Sequence, residues 1–134
     1  MSPICEAEVT SYASQLQRRI ETRQARVGVA GLGYVGLPLA AEFARAGFSV
    51  TGIDVDPRKI ASLGRGESYV KDVPTPALRA LVESGQFRAT ADFSAVMELD
   101  TINIAVPTPL RKTKDPDMSY VLNACREIAK YSHP

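Results

Sequence analysis

Apolar residues follow two patterns along this chain, and the two patterns alternate. Short, nearly continuous apolar runs predict four β-strands, at about residues 25–30, 48–54, 86–89 and 101–106. Apolar residues at helical spacing and helix-terminating residues predict helices at about residues 34–46, 57–63, 75–84 and 93–98, and a last helix after the polar loop 107–116. Strands that alternate with helices are typical of an α/β protein. We therefore predict a doubly wound parallel sheet in strand order 3-2-1-4.

Several predicted helices carry an apolar stripe or clear end signals. A leading N-terminal helix, at residues 6 to about 22, has its stripe at Val9, Tyr12, Ala13, Leu16 and Ile20. The stripe of the second helix is Val35, Leu39 and Phe43, and Gly47 ends that helix. Thr75 and Pro76 predict an N-cap and a first helical position, and Gly85 a helix end. The stripe of the last helix is Met118, Val121, Leu122, Cys125, Ile128 and Ala129. Because Cys125 lies on this stripe, we expect it to be a buried structural thiol.

A glycine-rich turn joins the first strand to the second helix. Gly31 permits a tight turn, Gly33 lets the backbone approach a pyrophosphate, and Gly36 allows close packing of the helix. The free N–H groups at the helix start favour phosphate binding. Asp54 ends the second strand, where a carboxylate can accept hydrogen bonds from both ribose hydroxyls. The spacing therefore predicts a dinucleotide site on a Rossmann-type fold, although such glycines also occur in ordinary structural turns.

The acidic residue at the end of the second strand also bears on the choice of cofactor. The carboxylate of Asp54 repels a 2′-phosphate, which favours NAD over NADP, whereas Arg58 and Lys59 are cations that could accept one. Pro107 and Thr108 follow the fourth strand, beside the first, at the point where the strand order reverses and ligands bind. Thr108 therefore predicts a cofactor contact, with the start of a turn between two prolines as the alternative.

Composition limits the possible partners. The chain has 134 residues and a net charge of +1, which gives no electrostatic reason to expect nucleic acid or an anionic membrane. The uncharged run 27–41 contains four glycines and one proline, so it is too short and too broken to cross a bilayer. The N-terminus is charged before any apolar run, unlike a signal peptide, and we expect a cytoplasmic protein. Cys5 and Cys125 suggest neither a disulfide framework nor a metal site, and His133, near the end, is not expected to be catalytic.

Three separate segments resemble one family. The run from Gly31 to Ala40 (GLGYVGLPLA), the run DVDPRKI at 54–60 and the run AVPTPL at 105–110 resemble the NAD-binding domain of the UDP-glucose/GDP-mannose dehydrogenase family. The leading helix, the loop GESY at 66–69 and the run KDPDMSY at 114–120 are most similar to its UDP-N-acetylglucosamine 6-dehydrogenase branch. The resemblance extends over essentially the whole chain.

This resemblance implies an enzyme that oxidises the C6 alcohol of a nucleotide sugar to a carboxylate in two hydride transfers to NAD, in polysaccharide biosynthesis. The family's cysteine nucleophile lies in a Cys-Phe-Pro-Lys-type segment that these 134 residues do not contain, so we expect no catalytic residue here and no turnover by this chain alone. The implied cofactor-binding residues are Gly31, Leu32, Gly33, Tyr34, Val35, Gly36, Asp54, Val55, Lys59, Val106, Pro107 and Thr108.

The expected organisation is a leading helix over residues 1–24 and an NAD-binding domain over 25–134. A complete sheet of this kind would have two more strands beside the fourth, so the fourth strand is expected to form an edge. The expected consequence is self-association into a homo-oligomer or, as the alternative, only marginal stability of the chain. The UDP-sugar is expected to bind through a further C-terminal half. Three alternatives stay open: a dehydrogenase for UDP-glucose or another nucleotide sugar, a β-hydroxyacid-type dehydrogenase domain, and a non-catalytic NAD-binding module. Arg111, Lys112 and Lys114 form either a solvated loop or a phosphate contact.

Overall fold

The four predicted strands form one parallel sheet in the order β3-β2-β1-β4, as expected. This computed structural model describes residues 3–133, with side chains from residue 11 onward. The strands are β1 (Arg26–Ala30), β2 (Ser49–Ile53), β3 (Phe87–Thr90) and β4 (Thr101–Ile104). The helices are α1 (Pro3–Glu21), α2 (Gly36–Arg45), α3 (Pro57–Gly64), α4 (Thr75–Glu83) and α5 (Ser119–Lys130), with a 3₁₀ segment at Phe93–Glu98. Within the described part of the chain, no helix combines the length and the apolar character needed to cross a membrane.

The strand register brings three loops to one edge of the sheet. Ala30, the last residue of β1, pairs with Ile53 at the end of β2 and with Ile104 at the end of β4. Because all four strands run in the same direction, the loops that follow β1, β2 and β4 emerge side by side. This edge is where the sequence analysis predicts ligand binding.

The helix α2 packs on the sheet through small residues, and the predicted apolar stripe was wrong here. Its buried residues are Gly36, Leu37, Ala40, Ala41 and Ala44. Val35 is 71% exposed, while Leu39 and Phe43 are only partly buried. Alanine scores weakly in a hydrophobic pattern, yet an alanine face lets a helix lie close to a sheet. The stripe of larger residues therefore identified a neighbouring face of the helix.

The helix α5 also departs from the prediction. Cys125 is exposed and not buried, and Met118 and Leu122 are 45% and 52% exposed. Ala124 is the buried residue of this helix, and Ile128 packs against a small cluster formed by Ile53, Val96 and Leu99. The buried face thus includes the position before Cys125, and Ile128 packs on a cluster that the 3₁₀ segment, the end of β2 and Ile102 of β4 share.

The first helix and the fourth strand are more exposed than their sequences suggest. In α1, Tyr12 and Ile20 are 57% and 42% exposed, while the side chains of Val9 and Cys5 lie outside the described residues. A salt bridge of 3.1 Å connects Arg19 of α1 to Asp100, the residue before β4. Among residues 3–133, β4 pairs with β1 alone, and it is half-buried, in contrast to the continuous burial that its apolar sequence predicts.

One predicted helix cap was also wrong. Thr75 is the first residue of α4, and its side chain makes no capping hydrogen bond. Its hydroxyl oxygen instead accepts a hydrogen bond from the backbone N–H of Ser68, at 3.1 Å. The threonine therefore anchors the preceding loop to α4. Gly47 and Gly85 do end their helices as predicted, with φ of 103° and 79°.

Candidate cofactor site

Two glycines of the turn after β1 are required by the fold itself. Gly31 has φ of 97°, and a Cβ there would lie 2.5 Å from the carbonyl oxygen of Ala105. At Gly36 a Cβ would lie only 1.7 Å from the carbonyl oxygen of Gly31. The turn and the start of α2 therefore pack directly on each other and on the exit of β4.

Gly33 is different, because no packing contact explains it. A Cβ at this position would find only the Nζ atom of Lys59, at 4.0 Å, and would otherwise project into open space. The absence of a side chain thus leaves a cradle over the turn that a ligand can enter. This is the position that the sequence analysis assigned to close approach of a pyrophosphate.

The start of α2 presents hydrogen-bond donors beside this cradle. The helical ladder begins with the N–H of Leu37, which donates to the Gly33 carbonyl at 3.1 Å. The N–H groups of residues 33–36 donate to no group in the described part of the chain. Four N–H groups at the positive end of a ten-residue helix favour an anionic ligand.

Asp54 lies at the end of β2 and faces the glycine turn. Its side chain is 9% exposed, its Oδ2 accepts a hydrogen bond of 2.9 Å from the N–H of Leu32, and its Oδ1 accepts one of 2.9 Å from the N–H of Asp56. The Nζ of Lys59 is 3.7 Å from Oδ2. Since an ionised carboxylate has about four acceptor positions, each oxygen can accept a further hydroxyl.

Tyr69 is a residue that sequence reasoning missed. It lies in the loop between α3 and α4, and its hydroxyl donates to the carbonyl oxygen of Leu32. Its ring centroid is 6.0 Å from the Nζ of Lys59. Burial, together with the charges of Asp54 and Asp56, raises the pKa of Tyr69 well above its usual value, so the hydroxyl stays a neutral donor. The loop at 66–69 stood out in the sequence, but no pattern there indicated a contact with the glycine turn.

Two clefts meet around Asp54. The first has a volume of about 590 Å³ and is formed by the glycine turn, the loop around Tyr69 and the exit of β4. Ten of the twelve predicted residues line it: Gly31, Leu32, Gly33, Tyr34, Val35, Asp54, Lys59, Val106, Pro107 and Thr108. Gly36 lies beneath it, in contact with Gly31. The structure therefore brings these predicted residues to one place.

The second cleft has a volume of about 490 Å³ and contains the remaining predicted residue, Val55. Its other walls include Phe93 of the 3₁₀ segment and Tyr120, Asn123 and Glu127 of α5, and of these four only Tyr120 lies in a run that the sequence analysis singled out. Both clefts share Asp54, Lys59 and the exit of β4, so they form one continuous depression. An open cradle, free N–H groups and an adjoining, mainly apolar cleft fit the phosphate, ribose and base of a dinucleotide.

Two groups of candidate residues lie elsewhere. Arg111, Lys112 and Lys114 are exposed on a turn after β4, where Arg111 pairs with Asp117 at 3.6 Å. His133 follows α5, and its Nε2 is 2.8 Å from the carbonyl oxygen of Leu99. Nothing in these contacts indicates a role in the depression around Asp54.

Comparisons with known proteins agree with this geometry. The UDP-N-acetyl-D-mannosamine dehydrogenase of Salmonella typhi is 41% identical over 107 residues, which are 77% of this chain and 24% of that protein. The GDP-mannose 6-dehydrogenase of Pseudomonas aeruginosa is 37% identical over 108 residues, with the same coverage of 77% and 24%. The solved UDP-D-ManNAc dehydrogenase of Pyrococcus horikoshii superposes with a TM-score of 0.75 at 31% identity, over 80% of this chain and 26% of that one.

The chain thus spans about a quarter of the length of these relatives. Residues 25–133 match the sequence model described as the UDP-glucose/GDP-mannose dehydrogenase family, NAD binding domain. That span contains β1 to β4, the glycine turn and both clefts. This chain belongs to the UDP-glucose/GDP-mannose dehydrogenase family and contains its NAD-binding domain.

Proposed function

We propose that the depression around Asp54 holds NAD for a nucleotide-sugar 6-dehydrogenase. The pyrophosphate lies over Gly33, where the N–H groups of residues 33–36 meet its charge, and Asp54 accepts hydrogen bonds from the ribose hydroxyls. The adenine occupies the second cleft, against Val55 and Tyr120. The observation that carries this proposal is the open space at Gly33 beside unpartnered N–H groups. NAD, when bound, supplies the hydride acceptor for oxidation of an alcohol.

The same residues favour NAD over NADP. Lys59 lies 3.7 Å from Asp54, and Arg58 lies 3.4 Å from Asp56, so each of the two nearby cations already faces a carboxylate. Two carboxylates beside the ribose disfavour a 2′-phosphate. Arg58 is largely exposed, and its pair contributes little to stability.

Calorimetry with the 134-residue chain tests the cofactor assignment. Titration with NAD and, separately, with NADPH should give the tighter binding for NAD. Equal or tighter binding of NADPH would contradict the proposed role of Asp54. The control titration uses AMP, which lacks both the nicotinamide and the pyrophosphate and should bind more weakly than NAD.

We further propose that the substrate is a UDP-linked N-acetylhexosamine, with UDP-N-acetylglucosamine as the first candidate. The sequence runs at 66–69 and 114–120, which resemble this branch of the family, support the proposal. The relatives include proteins named for UDP-N-acetyl-D-mannosamine and for GDP-mannose, so the sugar has to be tested directly. The uronate product would then supply polysaccharide biosynthesis.

The assay for the substrate uses the complete open reading frame that contains this chain. We expect NADH production from UDP-N-acetylglucosamine to exceed that from UDP-N-acetylmannosamine, UDP-glucose and GDP-mannose. A higher rate with one of the other three sugars would contradict the proposed branch. The 134-residue chain itself should produce no NADH from any of them, since it contains no Cys-Phe-Pro-Lys-type segment.

Three further proposals concern organisation. We propose that residues 1–24 form a helical leader and that 25–134 form the NAD-binding unit. The start of the family match at residue 25 supports this division.

We also propose that the chain forms a homo-oligomer through the half-buried edge strand β4, and that the protein is located in the cytoplasm. Light scattering that shows a monomer at high concentration would contradict the oligomer, and fractionation of cells into cytosol and membranes tests the location.

A further inference from the structure

We infer that Tyr69 is a positioning residue for the cofactor. Its hydroxyl fixes the orientation of the peptide bond between Leu32 and Gly33. This inference rests on the proposed NAD site. Tyr69 is 37 positions after Leu32 in the sequence and lies outside the glycine motif. Tyr69 acts through the backbone of the turn, in addition to lining the cleft.

Leu32 is held at three points. Its side chain is fully buried and lies over Gly52, where a Cβ would come within 2.7 Å of it. Its N–H donates to Asp54 Oδ2 at 2.9 Å, and its carbonyl oxygen accepts the hydrogen bond from the Tyr69 hydroxyl. Of these three, only the contact with Tyr69 acts on the carbonyl side and therefore on the peptide that leads into Gly33.

That peptide determines what the cleft presents to a phosphate. The Leu32–Gly33 bond is trans, so the carbonyl of Leu32 and the N–H of Gly33 point in opposite directions from one rigid plane. Glycine adopts positive and negative φ about equally readily, so Gly33 itself does little to prevent this peptide plane from rotating by about half a turn. A turned plane would exchange the positions of a hydrogen-bond donor and a carbonyl oxygen, and a carbonyl oxygen repels phosphate. The Tyr69 hydroxyl selects one of the two orientations.

The ring of Tyr69 has a separate role. It lies 6.0 Å from the Nζ of Lys59, whose ammonium group is 3.7 Å from Asp54. Substitution by phenylalanine keeps the ring and its packing and removes only the hydroxyl. Tyr69→Phe therefore tests the hydrogen bond to Leu32 without removing the support for Lys59.

The experiment compares the affinity for the whole cofactor with the affinities for two of its fragments. Binding of adenosine, ADP and NAD to the 134-residue chain is measured by ligand-observed NMR for the wild type, for Tyr69→Phe and for the control Tyr12→Phe. Tyr12 lies on α1 and is 57% exposed. We expect Tyr69→Phe to weaken ADP and NAD by about two- to tenfold, the effect of one hydrogen bond, and to change adenosine by less than twofold. Tyr12→Phe should leave all three affinities unchanged.

A spectroscopic signature accompanies this pattern. Loss of the hydrogen bond should shift the carbonyl ¹³C resonance of Leu32 and the amide resonance of Gly33 in Tyr69→Phe, and the midpoint of thermal unfolding should change little. Unaltered ADP affinity, or an equal loss for adenosine and ADP, would overturn the inference, the latter because it indicates general damage to the site. A wild-type chain that bound neither NAD nor ADP would overturn the proposed function, and this inference with it.

Discussion

Replacing Gly33 and Gly36 by alanine, one at a time, separates the ligand's requirement for glycine from that of the fold. Both substitutions add a single methyl group within the same turn, and both glycines belong to the same sequence motif. The surroundings of the two methyl groups differ completely. At Gly33 the nearest atom is Lys59 Nζ at 4.0 Å, whereas at Gly36 it is the backbone oxygen of Gly31 at 1.7 Å.

The expected effect of Gly36→Ala is on stability. The contact of 1.7 Å is about half of an ordinary van der Waals separation, and the atom that is met is backbone, which cannot rotate away. Overpacking against backbone at this distance should cost about 3 kcal/mol or more, the upper end of the usual range, and alanine recovers roughly 1 kcal/mol through its better helix propensity. We expect a net loss of about 2 kcal/mol or more in the free energy of unfolding. That loss corresponds to a decrease of roughly 5–10 °C in the midpoint of thermal unfolding.

The expected effect of Gly33→Ala is on binding alone. Gly33 has no positive φ, so alanine fits its backbone and should stabilise the chain by about 0.4–1 kcal/mol through the unfolded state. The methyl group would occupy the space that the pyrophosphate is proposed to enter. Loss of one hydrogen bond between an N–H and a charged phosphate corresponds to about 1.5–3 kcal/mol, or roughly ten- to a hundredfold in affinity for NAD.

The two variants are compared by differential scanning calorimetry and by calorimetric titration with NAD. If Gly33→Ala bound NAD as tightly as the wild type, the pyrophosphate would not lie over the glycine turn. If Gly36→Ala melted at the wild-type temperature, the packing of α2 against the turn would be different from the one described. Either result would refute this account of the site.

Three further outcomes follow from individual side chains. Asp54→Ala should weaken NAD binding by about 1–3 kcal/mol and reduce the preference for NAD over NADPH, measured by calorimetric titration. The N–H of Ser94 donates to the carboxylate of Asp92 and lowers its pKa below the usual 3.8, so this cap stabilises the fold above that pH and is lost as the pH falls through the lowered value. Thermal midpoints between pH 5 and pH 2 should therefore fall less steeply for Asp92→Asn than for the wild type. The exposed thiol of Cys125 should react with a thiol reagent in the native state, and Cys125→Ser should remove one rapidly reacting equivalent.

The sequence predicted the order and type of the elements because each depends on local patterns. Apolar runs defined β1 to β4, and the glycines at 31, 33 and 36 with Asp54 pointed to residues that lie together around one cleft. The faces of α2 and α5 were wrong because burial there depends on what each helix meets. Ala40 and Ala44 can approach the sheet closely, and Ala124, not Cys125, is the buried residue of α5.

The parts of the site that were missed come from contacts between distant segments. Tyr69 reaches Leu32 from another loop, and Phe93 and Tyr120 line the second cleft from segments whose sequences did not indicate a contact with this site. Long-range contacts of this kind leave no periodic signal in one sequence. The glycine motif therefore points to the proposed phosphate site, and it gives little information about the side chains around the proposed base.

The most direct test of the cofactor site is a titration of the ¹⁵N-labelled 134-residue chain with NAD, followed by two-dimensional NMR. The account predicts that the largest shifts occur at the amides of residues 31–36, at Asp54 and at Val106 and Thr108, with smaller shifts at Val55 and Tyr120. Shifts confined to the groove between α1 and β4, around Leu16 and Thr101, or no shifts at millimolar NAD, would contradict it.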